Sequence, residues 1–332
     1  MRAAAGAVRR RSPRGVVLLY HRIGGPRFDP QWLDVSAENF SQHLAVIARD
    51  CAPLALGEFE SRRRSGTLPP RAIAVTFDDG YADNLLAAAP LLERHSVPAT
   101  VFVTAGMTGA AGEFWWDDAE RVAFSARRLE TPVPGLSIAW SAADGDPLSE
   151  TVRHSWTIAQ TGDPSPRHRL YREICAALRP LEAREREARL HDLRSWARID
   201  APARPSHRAL SADELRTLAS RPGLTIGAHT MTHPVLSLLP AATQLAELAT
   251  SRALLERELA RPVATAAYPY GTRADVSGET VRAARHAGFD FAMANEPGAA
   301  WRWSSRWRVP RHLARDWNGE TFRTNLDEWF RA

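Results

Sequence analysis

The sequence predicts an α/β protein in which parallel strands are covered by helices. Three observations carry this prediction. Short apolar runs rich in strand formers alternate with helical patterns along most of the 332 residues. The strings that carry chemistry stand directly after those runs. An apolar fraction of 44% supplies a large core, and barrels of this length are ordinary single domains.

The first run, Val16-Val17-Leu18-Leu19-Tyr20, ends at His21. Ser36 reads as the N-cap of a helix with Phe40, Leu44 and Ile47 at helical spacing. Ala72 to Phe77 is a buried-strand pattern stopped by Asp78-Asp79-Gly80. Tyr81 to His95 is expected to be helical, with Pro90 as a kink or break. Ala99 to Val103 is the third strand. From about 106 to 206 the rhythm changes to Gly, Pro and Asp clusters, then a charged helical stretch from Arg167 to Arg198 striped by Leu170, Ile174, Leu178 and Leu181. This stretch reads as an insertion. It holds Trp115, Trp116, Trp140 and Trp156, for which core burial is favoured over a sugar-stacking wall.

Alternation resumes at Ser211, an N-cap with Glu214 at the capping-box position. A helix to Ser220 precedes a strand at Leu224 to Ala228, followed by His229. Ala242 to Leu259 is an amphipathic helix, and Thr265 to Tyr268 a strand ending in Pro269-Tyr270-Gly271. Glu279 to His286 is helical, Phe289 to Met293 and Trp307 to Leu313 are strands, and Glu320 to Phe330 is the last helix. The organisation expected is a flexible basic tail over 1–14 and one domain over 15–332, interrupted at about 106–206.

All 43 basic side chains are arginine, and the net charge is +5. The charge is spread out, with runs only at Arg9–Arg11 and Arg62–Arg64, which speaks against nucleic-acid binding. Cys51 and Cys175 make neither a disulfide framework nor a CxxC knuckle. The five-residue apolar run after the basic tail is too short for a secretory or membrane-spanning segment, so a cytoplasmic location with no membrane span is expected.

Asp78-Asp79 and the pair His229 and His233 carry the chemistry. One carboxylate with two imidazoles is a ligand set for a hydrolytic metal ion; Zn²⁺ fits, and Co²⁺, Ni²⁺ or Fe²⁺ are accepted by the same donors. The other carboxylate is then a base for water. Each string alone has an ordinary reading, a turn for Asp-Asp-Gly and chance for the histidines. Their position after strands brings them together, because C-terminal strand ends share one face of a parallel fold. Pro234 favours a loop over a helix at His233.

The chain resembles the polysaccharide deacetylases, the NodB-homology group or carbohydrate esterase family 4. Thr76-Phe77-Asp78-Asp79-Gly80 matches the family's first motif, His229-Thr230-Met231-Thr232-His233-Pro234 its second, and Tyr268-Pro269-Tyr270-Gly271 the tail of its third. The resemblance spans roughly 16–103 and 210–313. It implies a distorted (β/α) barrel, which the largely helical stretch at about 106–206 interrupts as an insertion outside the resemblance, and hydrolysis of an N-acetyl group, less often an O-acetyl group, from a sugar, with cell-surface polysaccharide metabolism as the expected setting. It also implies Asp78 as base, Asp79, His229 and His233 as metal ligands, and the backbone N–H of Tyr270 as oxyanion donor. Two departures stand out. Ala267 replaces the arginine that partners the base, for which Arg311 is the substitute expected from the last strand. The leucine-x-histidine motif of the general acid is missing, which leaves His312 and His21 as competing candidates. The alternatives are hydrolysis of a non-sugar amide, or a barrel that binds glycan without turnover.

Overall fold

The computed structural model describes residues 13–25, 28–125, 133–136, 155–200 and 202–331. Residues 1–12 of the expected basic tail, most of the Thr131 to Pro147 cluster and Trp140 lie outside the described residues, while Arg14, assigned to that tail, opens the first strand. Among the described residues there are eleven strands: β1 (Arg14–Tyr20), β2 (Arg22–Ile23), β3 (Asp34–Val35), β4 (Ala52–Pro53), β5 (Ala72–Phe77), β6 (Ala99–Val103), β7 (Leu224–Ala228), β8 (Thr265–Ala267), β9 (Phe291–Met293), β10 (Ala300–Trp301) and β11 (His312–Leu313).

The main sheet runs β1-β5-β6-β7-β8-β9 with every neighbour parallel. All residues of β5 and β6 are buried, which is why they read as unbroken apolar runs. The last strand is shorter than the sequence predicts. Only β11 is regular, pairing in parallel with β1 at Leu18↔His312 and Leu19↔Leu313. Upstream of it, Val309 makes an isolated parallel bridge to Met293 at the end of β9. The segment from Val309 to Leu313 therefore spans the gap between the two ends of the sheet and closes it into a distorted (β/α) barrel.

The helical signals act as their chemistry requires. The Ser36 hydroxyl accepts from the Asn39 N–H, and Phe40, Leu44 and Ile47 are buried. Ser211 and Glu214 form a reciprocal capping box. Pro90 has no N–H for the turn before it, and the chain answers with a π-turn at Asn84–Ala88. There the Ala89 N–H reaches back five residues to the Asn84 carbonyl.

The stretch read as an insertion is a second layer. Helices Trp115–Ser125, Pro166–Leu178 and Ala183–Ala197 pack around Trp116, Trp156, Leu170, Tyr171, Ile174 and Leu193. The single Arg167 to Arg198 helical pattern resolves into two helices separated at Arg179–Glu182. No helix among the described residues is long and apolar enough to cross a membrane.

Buried histidines make the fold acid-sensitive. His43 stacks on Phe322 at 4.0 Å, with its Nε2 2.7 Å from the Trp317 carbonyl and its Nδ1 3.2 Å from the Tyr20 hydroxyl. Burial pushes its pKa down to about 4. Burial, with Arg204 and Arg22 nearby, takes His207 to about 3. The unfolded chain binds these protons near pH 6.5 and the folded chain refuses them. The contribution of these two histidines to the unfolding free energy is therefore expected to be flat above about pH 6.5 and to fall as pH drops from there towards 4, whereas Asp117, raised to about 8 by burial, contributes a loss in the opposite direction as pH rises. Denaturant titrations at unit pH intervals measure this slope, and His43→Gln should reduce it.

Candidate active site

Four strands lead into the site at their C-terminal ends: β1 to His21, β5 to Asp78 and Asp79, β7 to His229, and β8 to Tyr270, whereas Arg311 enters just before β11. Asp78 continues the β5 ladder, its N–H donating to the Tyr20 carbonyl at 2.9 Å. The chain then turns sharply: Asp79 has φ 73° and Gly80 φ 84°. Glycine suits the second position because it enters the left-handed region without a Cβ penalty. The His229 N–H donates to the Val103 carbonyl, fixing it beside β6. The next residues form a loop, with Thr230 at φ 64° and His233 at φ 56°. Glu247 moulds this loop by accepting from the N–H groups of Met231 and Thr232 and from the Thr232 hydroxyl. Tyr270 follows β8 with φ 60°. Four of the nine non-glycine residues at positive φ among the described residues thus lie around one site, where backbone strain is held by the surrounding structure.

Asp79, His229 and His233 form a compact, buried donor set. His229 Nε2 lies 3.5 Å and His233 Nε2 3.3 Å from Asp79 Oδ1. That oxygen is buried and accepts no hydrogen bond. Tetrahedral bonds of about 2.1 Å separate neighbouring ligand atoms by about 3.4 Å. The spacing, the nitrogen and oxygen donors and the unsatisfied carboxylate therefore fit a divalent metal. His229 Nδ1 lies 2.9 Å from the Ala267 carbonyl; donation to it leaves Nε2 unprotonated and turned to the site.

Asp78 is clamped. Arg311, itself inaccessible to solvent, donates through Nη1 to Oδ1 and through Nη2 to Oδ2, both at 2.7 Å. Its Nε donates to the Ala294 carbonyl, so the fork is fixed at both ends. Burial pushes the Asp78 carboxyl up, but Arg311 and His229 outweigh it and the net shift is downward. Asp79 goes the other way, since burial and the neighbouring Asp78 charge raise it against the pull of His21 and His229. Ala267, where the family places its arginine, is a wholly buried residue of β8.

The two competing histidines separate. His21 lines the cavity above the aspartates, and its Nδ1 is buried with no hydrogen-bond partner. His312 does not reach this cavity. It stacks on Trp329 at 4.5 Å with an 18° interplanar angle. Strand alternation explains the difference: Arg311 and Leu313 point to the site, and the residue between them points away. The expectation of an acid at His312 is therefore corrected. The Tyr270 N–H makes no backbone hydrogen bond among the described residues, and its ring meets His233 edge-on at 4.8 Å.

The cavity holds about 500 Å³ and opens between the barrel and the second layer. Trp115 and Trp116 are buried, as core residues are, yet both also line it. Trp156 belongs to the core alone, 1% exposed beneath His168. Reading the sequence for strand-end chemistry missed Arg172, Arg179 and Arg315, which also line the cavity. Arg179 stacks over the Tyr270 ring at 4.3 Å and pairs with Asp275 at 2.5 Å. Nothing local in a chain with 43 arginines marks these three; only the packing of the second layer on the barrel selects them.

Comparisons with known proteins agree with this arrangement. A family model described as polysaccharide deacetylase matches residues 65–130 and 157–292. It takes in most of the stretch read as an insertion and skips only 131–156. Solved structures share the fold. The Streptococcus pyogenes deacetylase PplD in complex with acetate is 15% identical over 95% of this chain and 99% of its own, with a TM-score of 0.58. The de-N-acetylase from Aggregatibacter actinomycetemcomitans is 15% identical over 95% and 100%, with a TM-score of 0.57. IcaB from Ammonifex degensii is 18% identical over 96% and 97%, with a TM-score of 0.56. No curated sequence matches. With more than half of the chain inside the family match, and with a closed parallel barrel carrying the aspartate pair and both histidines at its strand ends, this chain belongs to the polysaccharide deacetylase family.

Proposed function

We propose that this chain is a metal-dependent hydrolase that removes acetyl groups, N-acetyl above all, from a carbohydrate of cell-surface polysaccharide metabolism. The observation that carries the reading is the pairing of a buried Asp-His-His donor set with a second aspartate held by an arginine. Asp79, His229 and His233 would hold the metal, with Zn²⁺ the first choice for this donor set. When bound, the metal supplies Lewis-acid polarisation of the acyl carbonyl and acidifies water. Asp78 takes the proton of the attacking water, and Arg311 keeps it ionised and oriented for that task. The Tyr270 N–H, left free by its turn, donates to the oxygen on which negative charge develops. His21 delivers a proton to the departing amine, which leaves poorly otherwise.

Chelation is expected to abolish acetate release from N-acetylated oligosaccharides, and re-addition of Zn²⁺, Co²⁺, Ni²⁺ or Fe²⁺ to restore it. Acetate release that survives complete removal of metal would overturn the reading. Release from simple amides but not from any acetylated sugar would move the substrate outside carbohydrates. Stoichiometric metal with no hydrolysis of either class would leave a glycan-binding barrel.

A further inference from the structure

The arginines of the cavity differ in whether a carboxylate pairs with them. Asp78 is neutralised by Arg311 within the barrel. Of the three arginines on the cavity wall, Arg172 pairs with Asp163 at 2.9 Å and Arg179 with Asp275. Arg315 makes no ion pair among the described residues. Asp29 attracts it from beyond ion-pair distance, and partial burial lowers its pKa to about 10. One of its nitrogens donates to the Trp32 carbonyl, leaving Nε and Nη2 without a hydrogen bond among the described residues.

The support under Arg315 is built and strained. Its guanidinium lies 3.9 Å over the Trp32 ring. Trp32 is a large aromatic at φ 58°, and it is 40% exposed. A bulky residue in the left-handed region persists only where its neighbours force it. Here the Trp32 N–H donates to the Asp29 carbonyl, and the Pro30 carbonyl accepts from the Ile158 N–H of the second layer. Next to it, Gln31 donates to the Tyr171 hydroxyl at 2.6 Å. Gln31 and Leu33, on either side of Trp32, line the cavity. The loop thus sets Trp32 as a support against Arg315, and Arg315 lines the same cavity as the reacting centre.

We propose that Arg315, positioned by Trp32, is a specificity residue that binds an oxyanion carried by the acetylated substrate, either a sugar carboxylate or a phosphate. This rests on the deacetylase reading. A planar guanidinium takes a carboxylate or phosphate through paired donors, and such charge-assisted bonds are worth roughly 10- to 150-fold in affinity.

The test compares kcat/KM for acetate release from three probes with the metal-loaded enzyme. They are a chitooligosaccharide, an oligosaccharide of equal length alternating N-acetylglucosamine with glucuronate, and N-acetylglucosamine 1-phosphate. A preference of about 10-fold or more for one acidic probe is expected, and which one names the oxyanion. Arg315→Gln should collapse the acidic-to-neutral ratio, and Arg315→Lys should leave it intermediate; a ratio measured within one variant is insensitive to loss of folded protein. Equal kcat/KM on neutral and acidic probes, or a ratio unmoved by Arg315→Gln, overturns the proposal. If no probe releases acetate, the deacetylase reading fails by itself. Calorimetric titration of Asp78→Asn with the same probes then still decides the subsite, and equal affinities overturn it.

Discussion

Asp78→Asn is expected to retain a full complement of metal and to lose turnover by about 10²- to 10⁴-fold, the usual contribution of a positioned base. Asp79→Asn, one residue away and equally buried, is expected to lose the metal first. The two aspartates differ because the β5 end turns between them. Asp78 still faces along the sheet into the Arg311 fork. Asp79, at φ 73°, is swung to meet Nε2 of both histidines. An amide at position 78 keeps the shape of the carboxylate but cannot accept the water proton. At position 79 it removes the negative charge that balances a divalent ion. Metal analysis of dialysed protein beside single-turnover acetate release separates the two variants. Equal metal content in both would show that the roles are not divided in this way.

Much of this centre was legible in the sequence, for a physical reason. The residue types suited to holding a metal or taking a proton are few, and strand ends gather on one face of a parallel fold, so the cluster of Asp78, Asp79, His229 and His233 could be read from spacing and place. Arg311 was legible as a charged residue near the last strand, although only the closure of the barrel at Val309–Leu313 shows it reaching Asp78. His312 shows the limit. Alternation over the expected strand from Trp307 to Leu313 puts Arg311 and His312 on opposite faces, but which face turns inward had to come from the structure. The cavity wall was less legible still. Trp115 and Trp116 satisfy both a core pattern and a lining pattern, and the sequence cannot separate them because one ring has two faces. Arg179 and Arg315 gain their meaning from the docking of the second layer, a contact between segments far apart in the chain.

Arg311→Ala is expected to damage both the fold and the reaction, and the two losses can be separated. The side chain is wholly buried and meets Asp78 through two parallel bonds, with a further contact to the Thr76 hydroxyl at 3.3 Å. Truncation leaves the Asp78 carboxylate buried without its partner, a change that costs about 3–5 kcal/mol in comparable buried pairs. The same loss lets burial dominate the Asp78 carboxyl, so the acid limb of the pH–rate profile should move to higher pH as kcat falls. Arg311→Lys should recover only part of both, because a single ammonium cannot reproduce the fork. The decisive variant removes both charges. Asp78→Asn combined with Arg311→Met should regain much of the stability lost in Arg311→Ala, since nothing charged is then stranded, yet remain without turnover. If instead Arg311→Ala kept wild-type stability, kcat and pH profile, the arginine would have no hold on the base, and the loss of the family's usual arginine at Ala267 would stand uncompensated.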